Sequence, residues 1–530
     1  MNILRHPDHI KVFTESGTHE LEHTGDTWQS KNIQMELNIS RMVSITLAPS
    51  PEAIKRIRIR WKGDNHSVKL ILNDQWERAC GDIFWQCVQP EKILPWYFNA
   101  FDGKITNGYG VKTGCNAMCF WLIDAQGITL WLDVRCGSKG VHLKEPIEAA
   151  TVVTRQGQEK ETPFQACSEF CKLMCDHPKN PNRPVYGANN WYYAYGDISR
   201  ESVLKDAELV ADLTADTDYV PYMLIDDGWQ ACRYPGFIGG PWQGNSYFGD
   251  MGRVADDIKR KGCIPSIWIR PLLTAERIPE SFYLNKAYTH TQGIIMDPSN
   301  PDVLNKIYND IRTLSDMGYK LIKHDFTTQD MMTLVDKSIG AHITNEGWSF
   351  QDNSKTSAQI IKRLYQTIKD GARDSMIMGC NTYNHLSAGI NELQRSGGDT
   401  SGRVWEISRM HGINTLAFRL PQNNNFFMVD ADCAGITEKI PFELNRRFME
   451  LIAISGTALF ASIKPGLLND QQQNQLAQIF KKASYTNNCM EPLDWMNTTC
   501  PSKYSHNDKE YNFDWYDLKD GVQTFYTWFD

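Results

Sequence analysis

The 530-residue sequence lacks several features that mark whole classes of protein. It has no apolar run of the roughly 18 residues needed to span a membrane. Its N-terminal stretch, MNILRHPDHIKVF, has no apolar signal-peptide core, so we expect a cytoplasmic protein, or a periplasmic or secreted one if a leader was removed before residue 1. Basic residues are not in excess. The net charge of −8 argues against nucleic acid as a partner, because phosphate binding requires a basic face.

Cysteines are scattered, without the dense spacing of a small disulfide scaffold. We therefore expect the 14 cysteines to be reduced thiols. Cys167, Cys171 and Cys175 are spaced by four and follow a helix-start signal at Thr162 and Pro163. This spacing favours a buried stripe on one helix face over a metal or redox cluster.

One segment, His19–His23, fits the H-E-x-x-H pattern of zinc proteases. That chemistry requires a helix, whereas Gly17 and Gly25 bracket the segment and its neighbours are strand-like. The pattern therefore favours an exposed polar strand. We predict no metal site and no cofactor.

The chain is too long for one hydrophobic core, and its pattern changes along its length. The first 160 or so residues are short strand-like runs separated by turn residues, which predicts an antiparallel β-sandwich. Within them, the aromatic, glycine-rich stretch Ile93–Gly114 is either a loop that reaches the active site or a long hairpin. After Pro465, a polar helix at 470–483 and aromatic strands at 509–518 and 522–530 predict a small C-terminal antiparallel β domain. The predicted domain limits are 1–175, 176–466 and 467–530.

The middle of the chain alternates apolar runs with helix-like segments, which indicates parallel βα units. Eight such units over about 280 residues match a closed barrel. An open doubly wound sheet would need a glycine-rich turn after its first strand, where this chain has GANNWYYAYG. We therefore predict a multidomain α/β protein with a central (β/α)8 TIM barrel. Its predicted strands are Val185–Trp191, Tyr219–Ile225, Ile264–Ile269, Tyr319–His324, Met376–Cys380, Ile390–Leu393, Phe426–Val429 and Ala458–Ile463.

Acidic segments fall where four of these strands are predicted to end. A buried carboxylate must be paired, protonated or used, and converging strand ends form the active site of such barrels. In LIKHDF, strand alternation places Lys323 beside Asp325 and turns His324 to the other side. A lysine there would keep Asp325 ionised, which suits a nucleophile. The four segments are IDDGW at 225–229, KHDF at 323–326, RSGGD at 395–399 and VDAD at 429–432.

The segment RSGGD supplies a second carboxyl group. Its two glycines permit unusual backbone angles, so we expect Asp399 on a loop, where it suits a general acid/base opposite Asp325. Two carboxyl groups across the scissile bond are the recurring arrangement of glycoside hydrolysis. Aromatic side chains near these positions, including Trp191, Trp229 and Trp268, offer faces on which sugar rings can stack.

Three motifs resemble the α-galactosidases of glycoside hydrolase family 36, which is related to family 27 in clan D. These are IDDGW after the second strand, K-x-D ending the fourth and R-x-x-x-D after the sixth. The resemblance implies a retaining hydrolase that releases terminal α-linked galactose through a glycosyl-enzyme ester. It implies Asp325 as the nucleophile and Asp399 as the acid/base. The predicted substrate-binding residues are Asp226, Asp227, Lys323, Arg395, Trp191, Trp229, Trp268, Cys380 and Asp432.

The chain departs from the large family 36 enzymes at two places. SIWIRPLL lacks their glutamate after Pro271, and MGCNTYNHLSAG keeps only Gly379 and Cys380 of their C-S-S-G-G-G-R stretch. Galactose and N-acetylgalactosamine therefore both stay open as the sugar. A related α-galactosyl transferase of the raffinose-synthase kind is an alternative. A non-catalytic sugar-binding barrel is disfavoured because Asp325 and Asp399 are both present. We expect an oligosaccharide partner and leave the oligomeric state open.

Overall fold

A computed structural model describes residues 1–232, 238–284, 293–485 and 490–516. These residues form a large antiparallel sheet, a closed barrel of eight parallel strands and a small antiparallel sheet near the C-terminus. The predicted fold class is therefore confirmed. No helix within the described ranges is long and apolar enough to cross a membrane.

The N-terminal sheet follows one hydrogen-bonded order but folds over on itself. The rings of Phe98 and Trp121 lie 6.1 Å apart, although their strands are near opposite ends of that order. The two halves therefore share one core, as a sandwich requires. The strands are His9–Thr14, Thr18–Thr24, Thr27–Ser30, Ile33–Ile39, Val43–Leu47, Ile54–Lys62, Leu70–Asn73, Leu94–Pro95, Tyr97–Phe101, Thr106–Val111, Met118–Asp124, Gly127–Asp133 and Ile147–Arg155.

Two open questions from the sequence are settled in this region. Strands Tyr97–Phe101 and Thr106–Val111 pair directly, so the segment Ile93–Gly114 contains a hairpin. The H-E-x-x-H segment lies on strand Thr18–Thr24, as predicted. There His19 contacts Glu52 at 3.1 Å and the ring of His23 stacks on Trp28.

The predicted cysteine stripe lies on helix Pro163–Met174. Thr162 caps this helix by accepting from the backbone N–H of Gln165 at 3.1 Å. Cys167 and Cys171 are buried on its inner face, whereas Cys175 follows the last helical residue. Burial raises the pKa of both helical thiols. No disulfide joins cysteines in the part of the chain that the structure describes.

The barrel closes because its eighth strand pairs in parallel with its first. Its strands are buried on both faces, since they lie between the barrel interior and the surrounding helices. The seventh strand differs from the prediction: it continues past Val429, so VDAD lies within it at a register shift instead of at its end. The eight strands are Tyr186–Asn189, Tyr222–Ile225, Ile264–Ile269, Leu321–His324, Met376–Gly379, Leu393–Arg395, Met428–Ile436 and Ala458–Ile463.

Helices cover the barrel, and their packing confirms one predicted orientation. His324 is fully buried against the ring of Tyr365 on helix Ser357–Ala372, at a centroid distance of 5.7 Å. Burial lowers the pKa of His324 to about 3, so this histidine packs as a neutral group. The other α-helices in this region are Trp191–Ala194, Arg200–Leu213, Met251–Arg260, Pro301–Asp316, Thr327–Met332, Asn384–Ser387, Trp405–Ser408, Thr415–Arg419 and Phe442–Ser455.

Short elements complete the barrel region. Strand Leu273–Thr274 pairs with Ile294–Ile295. Three 3-10 turns and one π-helical turn lie in the connections: Glu280–Phe282, Asp336–Ser338, Leu420–Gln422 and Arg409–Asn414.

The C-terminal part begins with helix Asp470–Tyr485, followed by a three-stranded sheet. The predicted strand at 522–530, and the end of the one at 509–518, lie outside the described residues. The domain limits 1–175, 176–466 and 467–530 stay predictions. The three strands are Glu491–Pro492, Lys503–His506 and Lys509–Asn512.

Candidate active site

A buried ion pair joins the carboxyl ends of three barrel strands. Lys323, on the fourth strand, donates from Nζ to Oδ2 of Asp226, after the second strand, at 2.8 Å. The Asn189 amide at the end of the first strand donates to the same oxygen at 2.7 Å. Burial alone would lower the pKa of Lys323, but Asp226 raises it well above its usual value. The sequence places Lys323 beside Asp325; the structure pairs it with Asp226.

Asp227 follows this pair on the turn after the second strand. Its Oδ1 accepts a hydrogen bond from Nε2 of Gln230 at 2.6 Å, and the carboxyl group is almost fully buried. Gly228 follows with a φ of 120°, and a Cβ there would lie 2.4 Å from the carbonyl oxygen of Gly196. The strand therefore ends at Ile225, as predicted, and the turn that follows requires this glycine.

Asp325 is held by two N–H donors at the end of the fourth strand. The indole of Trp268 donates to its Oδ2 at 3.1 Å, and the backbone N–H of Phe326 donates to its Oδ1 at 2.7 Å. Phe326 has a left-handed backbone, with φ of 61°, and its ring packs under Arg270 at 4.3 Å. Both carboxyl oxygens of Asp325 are therefore held in place by surrounding N–H groups.

The predicted tryptophans occupy two different environments. Trp229 has no exposed surface and donates from Nε1 to the carbonyl of Trp268 at 2.9 Å. Trp268 is also buried and points its indole N–H at Asp325. Trp191 is partly exposed and meets the ring of Tyr195 edge-on at 5.7 Å. In this arrangement Trp229 and Trp268 support Asp325, whereas Trp191 offers surface to a ligand.

Arg395 is the centre of a second buried network. Its Nη2 contacts Oδ2 of Asp432 at 2.8 Å and Oδ1 of Asp399 at 3.2 Å. Its Nη1 donates to Sγ of Cys380 at 3.4 Å. Asp432 also accepts from the hydroxyl of Tyr192. Cys380 and Asp432 are both buried, so in this structure they position Arg395.

Asp430 lies at the edge of the same network. Its Oδ2 is 4.0 Å from Nε of Arg395, and its Oδ1 accepts from the backbone N–H of Asp432 at 3.0 Å. Burial and the Asp432 carboxylate, opposed by Arg395, together raise the pKa of Asp430 to about 6. Asp430 is therefore the carboxyl group of this network that holds a proton most readily near neutral pH.

Asp399 lies on the loop after the sixth strand, as expected, and 55% of its side chain is exposed. The reason for its glycines differs from the prediction. Neither Gly397 nor Gly398 has a positive φ. They are needed because a Cβ on Gly397 would lie 2.0 Å from the carbonyl oxygen of His411, and one on Gly398 would lie 2.9 Å from its ring. His411 in turn bonds through Nδ1 to the carbonyl of Asp399 at 2.7 Å.

One cation at this site, Arg78 from the N-terminal sandwich, is not among the residues predicted from the sequence. Its Nη1 donates to Oδ1 of Asp399 at 3.3 Å, and its guanidinium contacts Asp336 at 3.5 Å. The segment is docked by a backbone pairing of Ala79 with Gly397, next to Asp399. Partial desolvation would raise the pKa of Asp399, but Arg395 and Arg78 hold it below its usual range. The only cue in the sequence is the charged stretch DQWERACGD between two strands.

Replacing Arg78 with glutamine is expected to shift the alkaline limb of the kcat/KM profile to higher pH. Arg78 lowers the pKa of Asp399, so removing its charge raises that pKa and keeps the acid form present to higher pH. The pH profile of kcat/KM with raffinose, whose poor leaving group requires the general acid, measures the shift. Lys337→Gln is the matched control, because it removes a nearby exposed cation that the structure does not bond to Asp399. An alkaline limb at unchanged or lower pH in Arg78→Gln would contradict the conclusion that Arg78 lowers the pKa of Asp399.

No protein-family profile matches the chain. Among solved structures, it is similar to TtGalA, an α-galactosidase from Thermus thermophilus in complex with p-nitrophenyl α-D-galactopyranoside. The TM-score is 0.61 at 13% identity, covering 95% of this chain and 99% of that one. It is also similar to a variant of the family 36 α-galactosidase AgaA from Geobacillus stearothermophilus in complex with raffinose. There the TM-score is 0.63 at 11% identity, covering 94% and 79% of the two chains.

The chain shares the fold of family 36 α-galactosidases. That fold is not confined to one substrate. A family 31 sulfoquinovosidase from E. rectale is similar with a TM-score of 0.60 at 11% identity, covering 95% of this chain and 86% of that one. The sugar that this chain accepts must therefore be argued from its own residues.

Proposed function

We propose that the chain is a retaining glycoside hydrolase that releases terminal α-linked galactose from oligosaccharides. The observation that carries the proposal is Asp325, a carboxylate at the barrel mouth held by the N–H groups of Trp268 and Phe326. A second, half-exposed carboxyl group, Asp399, is held on the loop after the sixth strand by Arg395 and Arg78. This is the pair that double displacement requires.

In the first step, one oxygen of Asp325 attacks the anomeric carbon while the bond from that carbon to the leaving oxygen breaks. Asp399 gives its proton to the departing oxygen, and a β-linked glycosyl ester remains on Asp325. In the second step, Asp399 takes a proton from water, and the water oxygen displaces Asp325. Free sugar with its original α configuration and an ionised Asp325 result.

The network on the second and fourth strands supplies the sugar-binding groups. Asp226 is held by Lys323, while Asp227 follows it in the chain and is held by Gln230. A carboxylate has several lone pairs and can accept from two sugar hydroxyls at once. We assign to these two carboxylates the axial O4 and the O6 of galactose, with Trp191 packing on an apolar sugar face.

Aryl α-galactosides are expected to react faster than aryl α-glucosides, because a site built on hydroxyl hydrogen bonds rejects a misplaced hydroxyl strongly. A panel of p-nitrophenyl α-glycosides, including the N-acetylgalactosaminide, measures kcat/KM directly. Asp227→Asn should lower kcat/KM for the galactoside by about 100-fold or more, since it replaces a charged acceptor. Faster turnover of the glucoside or the N-acetylgalactosaminide would contradict the assignment. Product analysis with added acceptor sugar separates hydrolysis from galactosyl transfer.

A further inference from the structure

The N-terminal sandwich carries a pocket of about 410 Å³ on its outer face. This volume is within the range of sites for small organic ligands. Its lining comes from four sandwich strands, the adjoining loops and a single barrel residue, Glu346. Among the residues that the structure describes, none of those lining this pocket belongs to the candidate active site. The pocket therefore needs an explanation of its own.

Two aromatic side chains line the pocket. Phe13 on strand His9–Thr14 and Trp131 on strand Gly127–Asp133 project from the outer face of the sheet, on either side of the strand Ile54–Lys62. Their rings stack at a centroid distance of 5.4 Å with planes 30° apart, and both stay partly exposed. Solvent-facing aromatic pairs are unfavourable in water, whereas the C–H faces of sugar rings pack well on them.

Each of the three cations lining the pocket is paired with a carboxylate. Lys55 contacts Glu15 at 2.8 Å, and Arg135 contacts Glu346 at 3.2 Å. The third cation, Arg56, donates to Asp133 at 3.0 Å. Pairing cancels most of the field that would attract a free anion. It also leaves further N–H groups and oxygen lone pairs to serve hydroxyl groups.

Small hydroxylated side chains complete the polar part of the lining. Thr14 and Ser16 both donate to Glu52, which fixes their orientation beside the aromatic pair. A ligand that fits must therefore be uncharged, present both donors and acceptors, and have an apolar face. A phosphate or other small anion can form hydrogen bonds, but it is charged and has no apolar face.

We propose that this pocket is a second carbohydrate site, which binds a neutral oligosaccharide without cleaving it. The aromatic pair of Phe13 and Trp131 packs on a sugar ring, and the paired charges of Lys55 and Glu15 bind its hydroxyls. The proposal does not depend on catalysis at Asp325, because only binding is assigned to this pocket.

The test uses the full chain carrying Asp325→Ala, so that the ligand is not turned over. Stachyose is titrated by calorimetry and by saturation-transfer NMR. Two classes of site are expected, and Phe13→Ala should weaken one of them by about tenfold or more, since it removes one face of stacking. Lys55→Gln should weaken the same site. Asp226→Asn should affect only the other. Tyr485→Ala, which removes an exposed aromatic ring elsewhere, is the control and should affect neither.

Each outcome decides the assignment. The absence of any class of stachyose site that Phe13→Ala and Lys55→Gln weaken overturns it. Competition by inorganic phosphate at millimolar concentration overturns it in favour of an anion site. In the wild-type chain, Phe13→Ala should leave kcat/KM for an aryl α-galactoside within about twofold, because Phe13 lies outside the catalytic groups. If the aryl galactosides are not turned over at all, the proposed activity fails while the binding result still stands.

Discussion

Replacing Asp325 with alanine is expected to lower kcat for an aryl α-galactoside by at least about a thousandfold while the fold is retained. The reason is chemical: without this carboxylate no glycosyl ester forms, and the rest of the site supplies only binding. Steady-state kinetics with p-nitrophenyl α-galactoside measures the effect. Retention of more than about a tenth of the wild-type kcat would show that Asp325 is not the nucleophile.

The alanine variant also leaves two N–H groups, on Trp268 and Phe326, without their acceptor. An unmet buried donor costs about 1–3 kcal/mol of stability, so thermal unfolding must be compared alongside activity. Asp325→Asn separates the two effects, because it keeps an acceptor oxygen but is not a nucleophile. Asp310→Ala on helix Pro301–Asp316 is the control for loss of a carboxylate away from the barrel mouth. It should retain full activity.

The barrel could be predicted because its signal is local. Parallel strands that are buried on both sides are continuous apolar runs, and helices between them have their own periodicity. Two predicted strands, Ile264–Ile269 and Ala458–Ile463, match the observed limits. The predicted sixth and seventh strands begin and end earlier in the chain than the observed ones. The reason is that the polar residues Gln394, Arg395 and Asp430 lie inside strands. Arg395 and Asp430 belong to the buried network at the site, and functional demands override the apolar pattern there.

Contacts between distant parts of the chain could not be predicted. Arg78 and Asp399 are 321 positions apart in the sequence, and no local pattern reports such a pairing. The same limit explains why Lys323 was placed beside Asp325, its neighbour in sequence, when its ion-pair partner is Asp226. Strand alternation gives the side of a strand on which a residue lies but not the partner that it meets there.

The glycines of RSGGD show a related limit. They predict a loop at Asp399, which the structure confirms, but the predicted cause, freedom of the backbone angles, is wrong. The loop passes so close to His411 that a side chain at Gly397 would collide with its carbonyl group. Close approach between segments depends on the tertiary structure, whereas a glycine in the sequence is compatible with either cause.

The electrostatics of Asp399 impose a condition on the mechanism. With Arg395 and Arg78 beside it, its pKa lies below the usual range, which suits the base of the second step better than the acid of the first. Asp430, with its pKa raised to about 6, is the carboxyl group that would otherwise supply the proton. Only one of them is half-exposed, however. Asp399 is accessible to a leaving group, whereas Asp430 is buried behind Arg395.

Asp399→Ala is expected to separate these two candidates by the dependence of rate on the leaving group. A general acid matters most when the leaving oxygen is a poor leaving group. The variant should therefore slow raffinose hydrolysis by about a thousandfold or more and slow activated aryl galactosides far less. Because the same residue activates water in the second step, the ester should accumulate with aryl substrates and give a burst.

Azide completes the argument, because it attacks the ester without needing a base. Added azide should restore turnover of aryl galactosides in Asp399→Ala and yield α-galactosyl azide, since attack on the β-linked ester inverts the anomeric carbon a second time. Asp430→Asn provides the comparison: it should respond equally to good and poor leaving groups and gain nothing from azide. If instead Asp399→Ala shows that uniform loss and Asp430→Asn shows the leaving-group dependence, the roles are exchanged. The buried carboxyl group of raised pKa would then be the acid, and Asp399 would be a binding residue.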